Sequence, residues 1–451
     1  MKLKQITIAT GLALVAGQAF ALSPTSPLAF TLNSSGSSAQ QASLGGVFTS
    51  LCQAGTIDTF YDTATSGSNH RAYSCTLKTT LGDPLLNGKN MLFIHRAQGG
   101  SINGVNPVAK AENLARMVVD GTCVATGNVY PVLPQYKCAN TVNAIPDAGV
   151  SDEEPALFKG INLPAGATAL TNGQLGNLSS FSQNAVVFGI ATTNNVNAAQ
   201  PNLSRAQVTT LATGLYGDWG NVNGALAGKP VVVCRRAPGS GSQAAMNAYF
   251  PGFPCSTGAV SPADASYNSV FDGSAFTVIE NSSTGAVANC LNAAFNGGAF
   301  TDAYGTVFTL PAGSAAVGIL STEKQPVATD KWKFSNLDGT PATVLNATTG
   351  TYDFFVEQSF QYRNKDVCQS VANPGHATPC LGGETLVVKP TPTQVAFMTK
   401  FIAASGDPVT LSTIPGVAAL PSLYDPTLYP AGQVMKGTRA NNTCSPTQMY
   451  Y

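Results

Sequence analysis

Short apolar runs alternate along the chain with longer segments of helical period, and this alternation predicts an α/β fold. Six runs of apolar and β-branched residues predict buried strands, at 90–95, 184–191, 229–234, 315–320, 332–337 and 351–363. Five segments with the helical spacing of apolar residues predict helices, at 38–52, 106–118, 204–214, 242–250 and 391–404. No internal repeat or low-complexity linker divides the chain, so we expect its domains to be interleaved rather than strung in series.

The first 21 residues have the pattern of a secretory signal peptide. Lys2 and Lys4 precede an apolar run, and Ala19 and Ala21 form the small-residue cleavage signal, so we expect cleavage after Ala21. The run is too short for a membrane span, and no later run reaches about 20 apolar residues. We therefore expect a periplasmic or secreted protein that is not an integral membrane protein.

Charge is scarce and balanced. Lys+Arg and Asp+Glu number 23 each, and only 10% of residues are charged. A chain without net charge has no long-range field that would attract nucleic acid or acidic lipid, so we expect no nucleic-acid partner.

The ten cysteines indicate disulfides rather than a metal site. Their number is even, and no C-x-x-C pair occurs, which argues against zinc. In an oxidising compartment they are expected to pair. Neighbours in sequence suggest the pairs Cys52–Cys75, Cys123–Cys138, Cys255–Cys290, Cys368–Cys380 and Cys234–Cys444, although spacing leaves the connectivity open.

Candidate chemistry lies in four Ser/Gly or Asp motifs, each next to the predicted start of a helix. They are "SSGSSAQQASL" (34–44), "HRAQGGSINGVNP" (95–107), "DAGVSDEEPALF" (147–158) and "CRRAPGSGSQAAMNAYF" (234–250). Taken singly, each is explained by helix capping, since Ser and Asp are preferred N-caps. Glu153 and Glu154 fit first-turn charges of a helix. The alternative is that helix N-termini, hydroxyls and a guanidinium converge on an anion.

The order of these motifs resembles the phosphate-binding proteins of bacterial ABC importers, within the type 2 superfamily of periplasmic solute-binding proteins. Gly36-Ser37-Ser38 resembles the opening turn of that family, and Gly99-Gly100-Ser101 its Gly-Ser loop. Gly149-Val150-Ser151-Asp152 resembles its G-A-S-D motif. The segment 236–242 resembles its R-x-D-G-S-G-T motif. The similarity covers most of the mature chain and is most specific at 149–152 and 204–242.

The resemblance implies a two-lobed, disulfide-stabilised α/β fold with two crossover strands. The first lobe would comprise 22–184 and 320–451, and the second lobe 185–319. The two strands that cross between the lobes would lie near 182–189 and 315–320. Such proteins bind inorganic phosphate or a similar oxyanion in the cleft as monomers and deliver it to an ABC permease, without a cofactor, a metal or a catalytic step.

Carried over by position, the ligand shell combines hydroxyls, backbone amides and two charged side chains. Its members would be Ser38, Ala39 through its amide, Ser101, Asp152, Arg236, Ser240, Gly241 through its amide, and Ser242. Arg236 offers a planar fork to two oxygens. Asp152 would accept a hydrogen bond from the proton that phosphate retains, whereas fully ionised sulfate would be repelled.

Three departures from the family pattern bear on the ligand. Pro238 stands where the family has an aspartate that orients the arginine, so another group must orient Arg236. Ala39 replaces an aromatic residue, and the segment between Ser38 and Asp152 is longer than usual and carries four cysteines.

Other functional classes fit less well. The G-x-S-x-G elbow is absent, the three histidines form no triad pattern, and neither a P-loop nor a dinucleotide fingerprint is complete, so we expect no enzyme. His95 fits a capping or surface residue better than a catalytic one. The rival interpretation is a secreted structural or surface protein that keeps the fold without transport duty. Retention of both Asp152 and Arg236 argues against it, because an unneeded buried charge is costly.

Overall fold

The computed structural model describes residues 21–65, 67–266, 275–370, 372 and 374–450. The predicted signal peptide, except for Ala21, lies outside the described residues. Within the described part of the chain, no helix is long and apolar enough to cross a membrane.

Most strands are short, and one, β10, is much longer than the rest. The strands are β1 (Phe30–Gly36), β2 (Asp58–Asp62), β3 (His70–Thr76), β4 (Asn90–Arg96), β5 (Leu114–Met117), β6 (Val124–Ala125), β7 (Tyr136–Cys138), β8 (Thr141–Ala144), β9 (Ala148–Ser151), β10 (Leu178–Thr193), β11 (Asn202–Leu203), β12 (Val231–Arg236), β13 (Thr277–Asn281), β14 (Gly298–Thr301), β15 (Val307–Leu310), β16 (Ala315–Ser321), β17 (Trp332–Leu337), β18 (Phe355–Arg363), β19 (Val367–Gln369), β20 (His376–Ala377), β21 (Thr385–Val387), β22 (Val417–Ala419), β23 (Gly437–Thr438) and β24 (Gln448–Met449).

The helices cover both faces of the sheets. The α-helices are α1 (Gln41–Ser50), α2 (Asn106–Lys110), α3 (Asn172–Leu175), α4 (Asn194–Ala199), α5 (Arg205–Ala212), α6 (Gly241–Tyr249), α7 (Thr284–Asn296), α8 (Val344–Thr348), α9 (Pro392–Gly406) and α10 (Pro408–Leu411). Short 3-10 helices include Ser101–Gly104 and Gly224–Leu226.

Strand β10 belongs to two sheets and joins two lobes. Its first part pairs antiparallel with β18 as far as Val187, and from Phe188 onward it pairs antiparallel with β16. The first sheet continues from β18 through β9 and β1 to β4, and the second from β16 through β12 to β13. In each sheet the strands that end at the cleft run parallel. The predicted two-lobed α/β fold is thus observed.

The chain leaves the first sheet within the segment 182–189 and returns to it later. Strand β17 pairs with Ile190–Thr193 of β10, so residues 332–337 belong to the second sheet. The chain re-enters the first sheet at β18. The lobe boundaries predicted at 184/185 and 319/320 remain predictions, because strand pairing does not fix where one lobe ends.

The predicted helix at 106–118 is wrong beyond Lys110. Helix α2 ends there because Ala111 adopts a left-handed conformation, with φ of 56°. The chain then turns into β5, which pairs with β8. The apolar residues that suggested one helix belong to a short helix and a following strand, and each element buries some of them.

All ten cysteines form disulfides, as predicted, but two of the five pairs differ from those suggested. Cys52–Cys75, Cys123–Cys138 and Cys368–Cys380 are confirmed. Cys234 pairs with Cys290, and Cys255 with Cys444. Cys234 lies on β12 and Cys290 on α7, and both are fully buried where α7 packs on the second sheet. Tertiary packing therefore decides this pair, and proximity in sequence does not.

The Cys255–Cys444 disulfide ties a loop that follows α6 to the C-terminal segment. That segment is fixed to the first sheet by Glu357 on β18, whose carboxylate accepts hydrogen bonds from the Thr438 hydroxyl at 2.5 Å and from the backbone amides of Arg439 and Asn441, each at 2.6 Å. The disulfide therefore connects the second lobe covalently to a segment held on the first.

Removal of this tie should cost more stability than removal of a short-range disulfide. The sequence separation is 189 residues for Cys255–Cys444 and 12 for Cys368–Cys380. In the chain-entropy account, these loops correspond to about 5 and about 3 kcal/mol of unfolding free energy. We expect C255S/C444S to be less stable than C368S/C380S in urea denaturation without reductant. Equal losses would contradict this.

Candidate functional site

The Asp152 carboxylate is one of the points at which the two lobes touch. It follows β9 and is 1% exposed. Its Oδ1 accepts hydrogen bonds from the Ser37 hydroxyl at 2.5 Å and the Gln40 amide at 3.0 Å. Its Oδ2 accepts from the Ser101 hydroxyl at 3.2 Å and, across the cleft, from the Ser242 hydroxyl at 3.3 Å. Three donors belong to the first lobe and one to the second.

Gly241 allows this contact because it has no side chain. A Cβ at position 241 would lie 2.5 Å from the Ser101 hydroxyl and 2.7 Å from the Asp152 Cβ. Nearby, the backbone amide of Ile102 donates to the carbonyl of Gly239 at 2.9 Å. At Asp152 the lobes are therefore closed on each other, and the gap is too narrow for an anion to enter between Gly241 and Asp152 without their separation.

Ser240 caps helix α6. Its hydroxyl accepts a hydrogen bond from the backbone amide of Gln243 at 3.4 Å, as expected of an N-cap serine. The structure thus assigns this hydroxyl a capping role, and its predicted contact with a ligand remains a prediction.

Arg236 ends β12 and is 4% exposed. Its Nε and Nη2 donate to the carbonyls of Asn281 at 3.2 Å and Ser282 at 3.1 Å. Its Nη1 donates to the Ser38 hydroxyl at 3.0 Å and contacts the Thr284 hydroxyl at 3.5 Å. The two carbonyls orient the guanidinium, in place of the aspartate that Pro238 replaces in the family pattern.

Arg236 is a buried cation without a carboxylate in contact. No described carboxylate oxygen lies within 4.0 Å of its guanidinium nitrogens. Burial lowers the pKa of Arg236 to about 10, and the charge of Asp152 opposes that shift. The side chain therefore stays protonated at neutral pH.

The preceding residue shows the contrast. Arg235 points to the opposite face of β12 and is also buried, but it is paired with Glu280. The Arg235 Nη2 and Nε lie 2.7 and 3.1 Å from Glu280 Oε1. Of these two adjacent buried arginines, only Arg235 has a carboxylate in contact.

A pocket of about 250 Å³ opens beside Arg236, between the N-terminal ends of α1 and α7. Ser38 and Thr284, the two hydroxyl residues that Arg236 contacts, line it. Ala39 lines it as well, whereas Ser101, Asp152, Gly241 and Ser242 lie in the closed contact. The structure therefore brings all the predicted residues to the interlobe cleft but divides them between an open pocket and a closed contact.

His95 supports the site from behind and is not the surface or capping residue that the sequence favoured. It is 1% exposed, with Nε2 3.1 Å from the carbonyl of Ser37 and Nδ1 3.3 Å from the Ser34 hydroxyl. Burial lowers its pKa to about 4, so the ring is neutral. Because a carbonyl can only accept, Nε2 carries the proton, and the histidine fixes the turn that presents Ser37.

Glu153 is also not the first-turn helix charge that the sequence suggested. It is fully buried, and Thr443 donates its hydroxyl to both Glu153 and Glu154. Burial and the neighbouring Glu154 raise the pKa of Glu153 well above its ordinary value. These acids hold the C-terminal segment and face away from the pocket.

Sequence reasoning missed Ser37, Gln40 and Thr284. The segment "ENSSTGAV" (280–287) has the same order of strand, hydroxyl residues and helix as the four motifs, and that signal would have found Thr284. No pattern in the sequence identifies Gln40, whose role depends on the distant Asp152.

The described residues contain one group with the spacing of metal ligands, namely Cys368, Cys380 and Glu384. The two cysteines are joined in a disulfide, and Glu384 lies 2.5 Å from His376. Because a metal requires free thiolates, this group does not fit one.

No family model and no curated protein matches this sequence. Solved structures that resemble it include a candidate phosphate ABC transporter substrate-binding protein from Clostridium perfringens with bound phosphate, at 12% identity and a TM-score of 0.43, covering 85% of this chain and 99% of that one. Another is PstS from Borrelia burgdorferi, at 10% identity and a TM-score of 0.35, covering 85% of this chain and 96% of that one. A third is an ABC-type phosphate transport receptor from Vibrio cholerae, at 14% identity and a TM-score of 0.34, covering 60% of this chain and 78% of that one.

These solved structures belong to the class that the sequence motifs resemble, and they are binding proteins. Identities and scores this low carry no argument about the ligand of this chain, which has to be argued from its own residues.

The closed contact predicts the effect of Gly241→Ala. The added methyl group would collide with Ser101 and Asp152 and hold the lobes apart, so we expect a larger radius of gyration in small-angle scattering and a lower Tm. Gly224→Ala is the matched control in the second lobe, because a Cβ there meets nothing within 4 Å. Scattering of G241A identical to that of G224A would show that the lobes are not held together at this point.

Proposed function

We propose that this protein is an exported solute-binding protein that captures inorganic phosphate, or a similar oxyanion, between its two lobes. The observation that carries the proposal is the buried guanidinium of Arg236, which has no carboxylate in contact and whose Nη1 contacts two hydroxyl residues that line a pocket, Ser38 and Thr284. A buried charge is costly unless it is paired. An anion in the pocket would supply the missing counter-charge.

The groups around Arg236 suit a tetrahedral oxyanion. The hydroxyls of Ser38 and Thr284 can donate to it together with the guanidinium fork. The side chain of Gln40, the N-cap of α1, makes no hydrogen bond to the helix, and the Ser43 amide in the first turn donates to Glu323. Helix N-termini favour anions.

Binding at the residues around Asp152 requires the lobes to separate first. Once they part, Ser101, Gly241 and Ser242 turn their donors toward the space that the anion enters, and closure then buries it. The closed form is the one an ABC permease would recognise. Export rests on the signal peptide predicted at residues 1–21, and no catalytic step is proposed.

The alternative is a secreted structural or surface protein that keeps the fold without a transport role. It leaves Arg236 without a use and without a counter-charge, although the chain pairs Arg235 with Glu280 one residue earlier. We therefore favour the binding protein.

The two arginines provide a crossed test. We expect Arg236→Gln to weaken phosphate binding by about 2–5 kcal/mol, the range for truncating one partner of a buried charge pair, with little loss of stability in the unliganded protein. Arg235→Gln should do the opposite, because it leaves Glu280 buried and unpaired: stability falls and phosphate affinity is kept.

Calorimetric titration of ligand-stripped protein with phosphate and urea denaturation of the same samples would measure both quantities. Equal losses of affinity in the two variants, or a larger loss in R235Q, would refute the assignment of Arg236. Absence of phosphate, sulfate and arsenate binding by the unaltered protein would refute the function.

Asp152→Asn tests whether the ligand is a protonated oxyanion. The fold should tolerate the change, because the amide oxygen can keep the bonds from Ser37 and Gln40 while the hydroxyls of Ser101 and Ser242 rotate to accept from the amide. Sulfate, which the carboxylate repels, should gain affinity, while phosphate should lose little. We expect the phosphate-over-sulfate ratio to shrink in competition titrations. An unchanged ratio would reduce Asp152 to a structural role.

A further inference from the structure

The pocket beside Arg236 is bordered by two further cations, Arg71 and Lys324. The whole chain has 23 Lys and Arg residues among 451. No described carboxylate lies within 4.0 Å of the charged nitrogens of Arg71, Arg236 or Lys324. Two cations without ion pairs therefore line this pocket, and a third, Arg236, contacts two of its lining residues, Ser38 and Thr284.

These cations approach the pocket from separate elements. Arg236 reaches it through Ser38 and Thr284, at the ends of α1 and α7. Arg71 lies on β3 of the first lobe, and its position is fixed, because its Nε donates to the carbonyl of Gly67 at 2.9 Å and its guanidinium stacks over the Tyr61 ring at 4.7 Å. Lys324 follows β16, in the loop between β16 and β17.

Glu323 is the one carboxylate among the residues that line this pocket. Its Oε1 is buried without a hydrogen-bond partner in the described structure. Burial raises its pKa to about 8, and hydrogen bonds from Ser43 oppose that shift. The protonated form of Glu323 adds no negative charge to the pocket and can donate a hydrogen bond to an anion.

The pocket also exceeds what a single orthophosphate needs. One oxyanion against Ser38 and Thr284 would leave part of the space, of about 250 Å³ in all, which Arg71 and Lys324 also line.

We propose that the cleft takes a condensed phosphate, of which diphosphate is the simplest. One phosphoryl group is bound by Ser38, Thr284 and Arg236, and the second lies between Arg71 and Lys324. This inference rests on the proposed function, since it extends the same anion site. Arginine binds phosphate oxygens through its planar fork, and lysine binds them as a point charge.

The test is calorimetric titration of the ligand-stripped full chain, in magnesium-free buffer, with orthophosphate, diphosphate and glycerol 3-phosphate. Diphosphate should bind at least about tenfold more tightly than orthophosphate, as expected for one added charged contact. In Lys324→Gln and Arg71→Gln the ratio of diphosphate affinity to orthophosphate affinity should fall toward one, while the orthophosphate affinity is retained. Lys333→Gln, an exposed lysine on β17, is the matched control and should keep the advantage.

Each other outcome identifies which idea fails. Orthophosphate binding without a diphosphate advantage overturns this inference and leaves the proposed function intact. Glycerol 3-phosphate binding as tightly as diphosphate also overturns it, because the second group then need not be an anion. Retention of the diphosphate advantage in both K324Q and R71Q overturns the placement of the second phosphoryl. Absence of binding by all three compounds overturns the proposed function, and the inference with it.

Discussion

The hydrogen bonds to the Asp152 carboxylate hold the closed arrangement of the two lobes together. Three donors on the first lobe fix the carboxylate, and Ser242 on the second lobe completes the set. The contact is short because Gly241 brings backbone, and no side chain, against Asp152. Ala244 of α6 also packs against Ile102, Val105, Leu157 and Phe158, so opening the cleft at this point separates apolar side chains as well.

The electrostatic arrangement follows from the low overall charge. Where a chain has few ionisable side chains, each buried one needs a specific reason to be there. Arg235 has Glu280, Glu357 has the C-terminal amides, and Glu153 is held by Thr443. Arg236 alone of this group relies on carbonyls and hydroxyls, which satisfy its hydrogen bonds but not its charge. Arg363 and Arg439 are buried in the same way, with carbonyls as acceptors, so the feature particular to Arg236 is its contact with two hydroxyl residues that line a pocket.

Local patterns in the sequence predicted the elements that bury one continuous apolar face. The segment 332–337 is a strand with those bounds, and α5, α6 and α9 lie within two residues of their predicted ends. Failures occur where a distant contact decides the outcome. The partner of Cys234 depends on how α7 packs on β12, and Gln40 matters only because Asp152 lies beside it. The helix predicted beyond Lys110 failed because a left-handed Ala111 ends it, and no periodicity reports that conformation.

The Cys255–Cys444 bond has a further consequence for the motion of the lobes. It fixes two Cα atoms at 5.0 Å, one on the loop after α6 and one on a segment held to the first sheet. Separation of the lobes therefore becomes a swing about that side, and the opposite side moves most. The open protein samples a narrower range of shapes than two lobes joined by crossing strands alone. Under the proposed function, less conformational entropy would then be lost when an anion closes the cleft, which favours tight capture at low concentration.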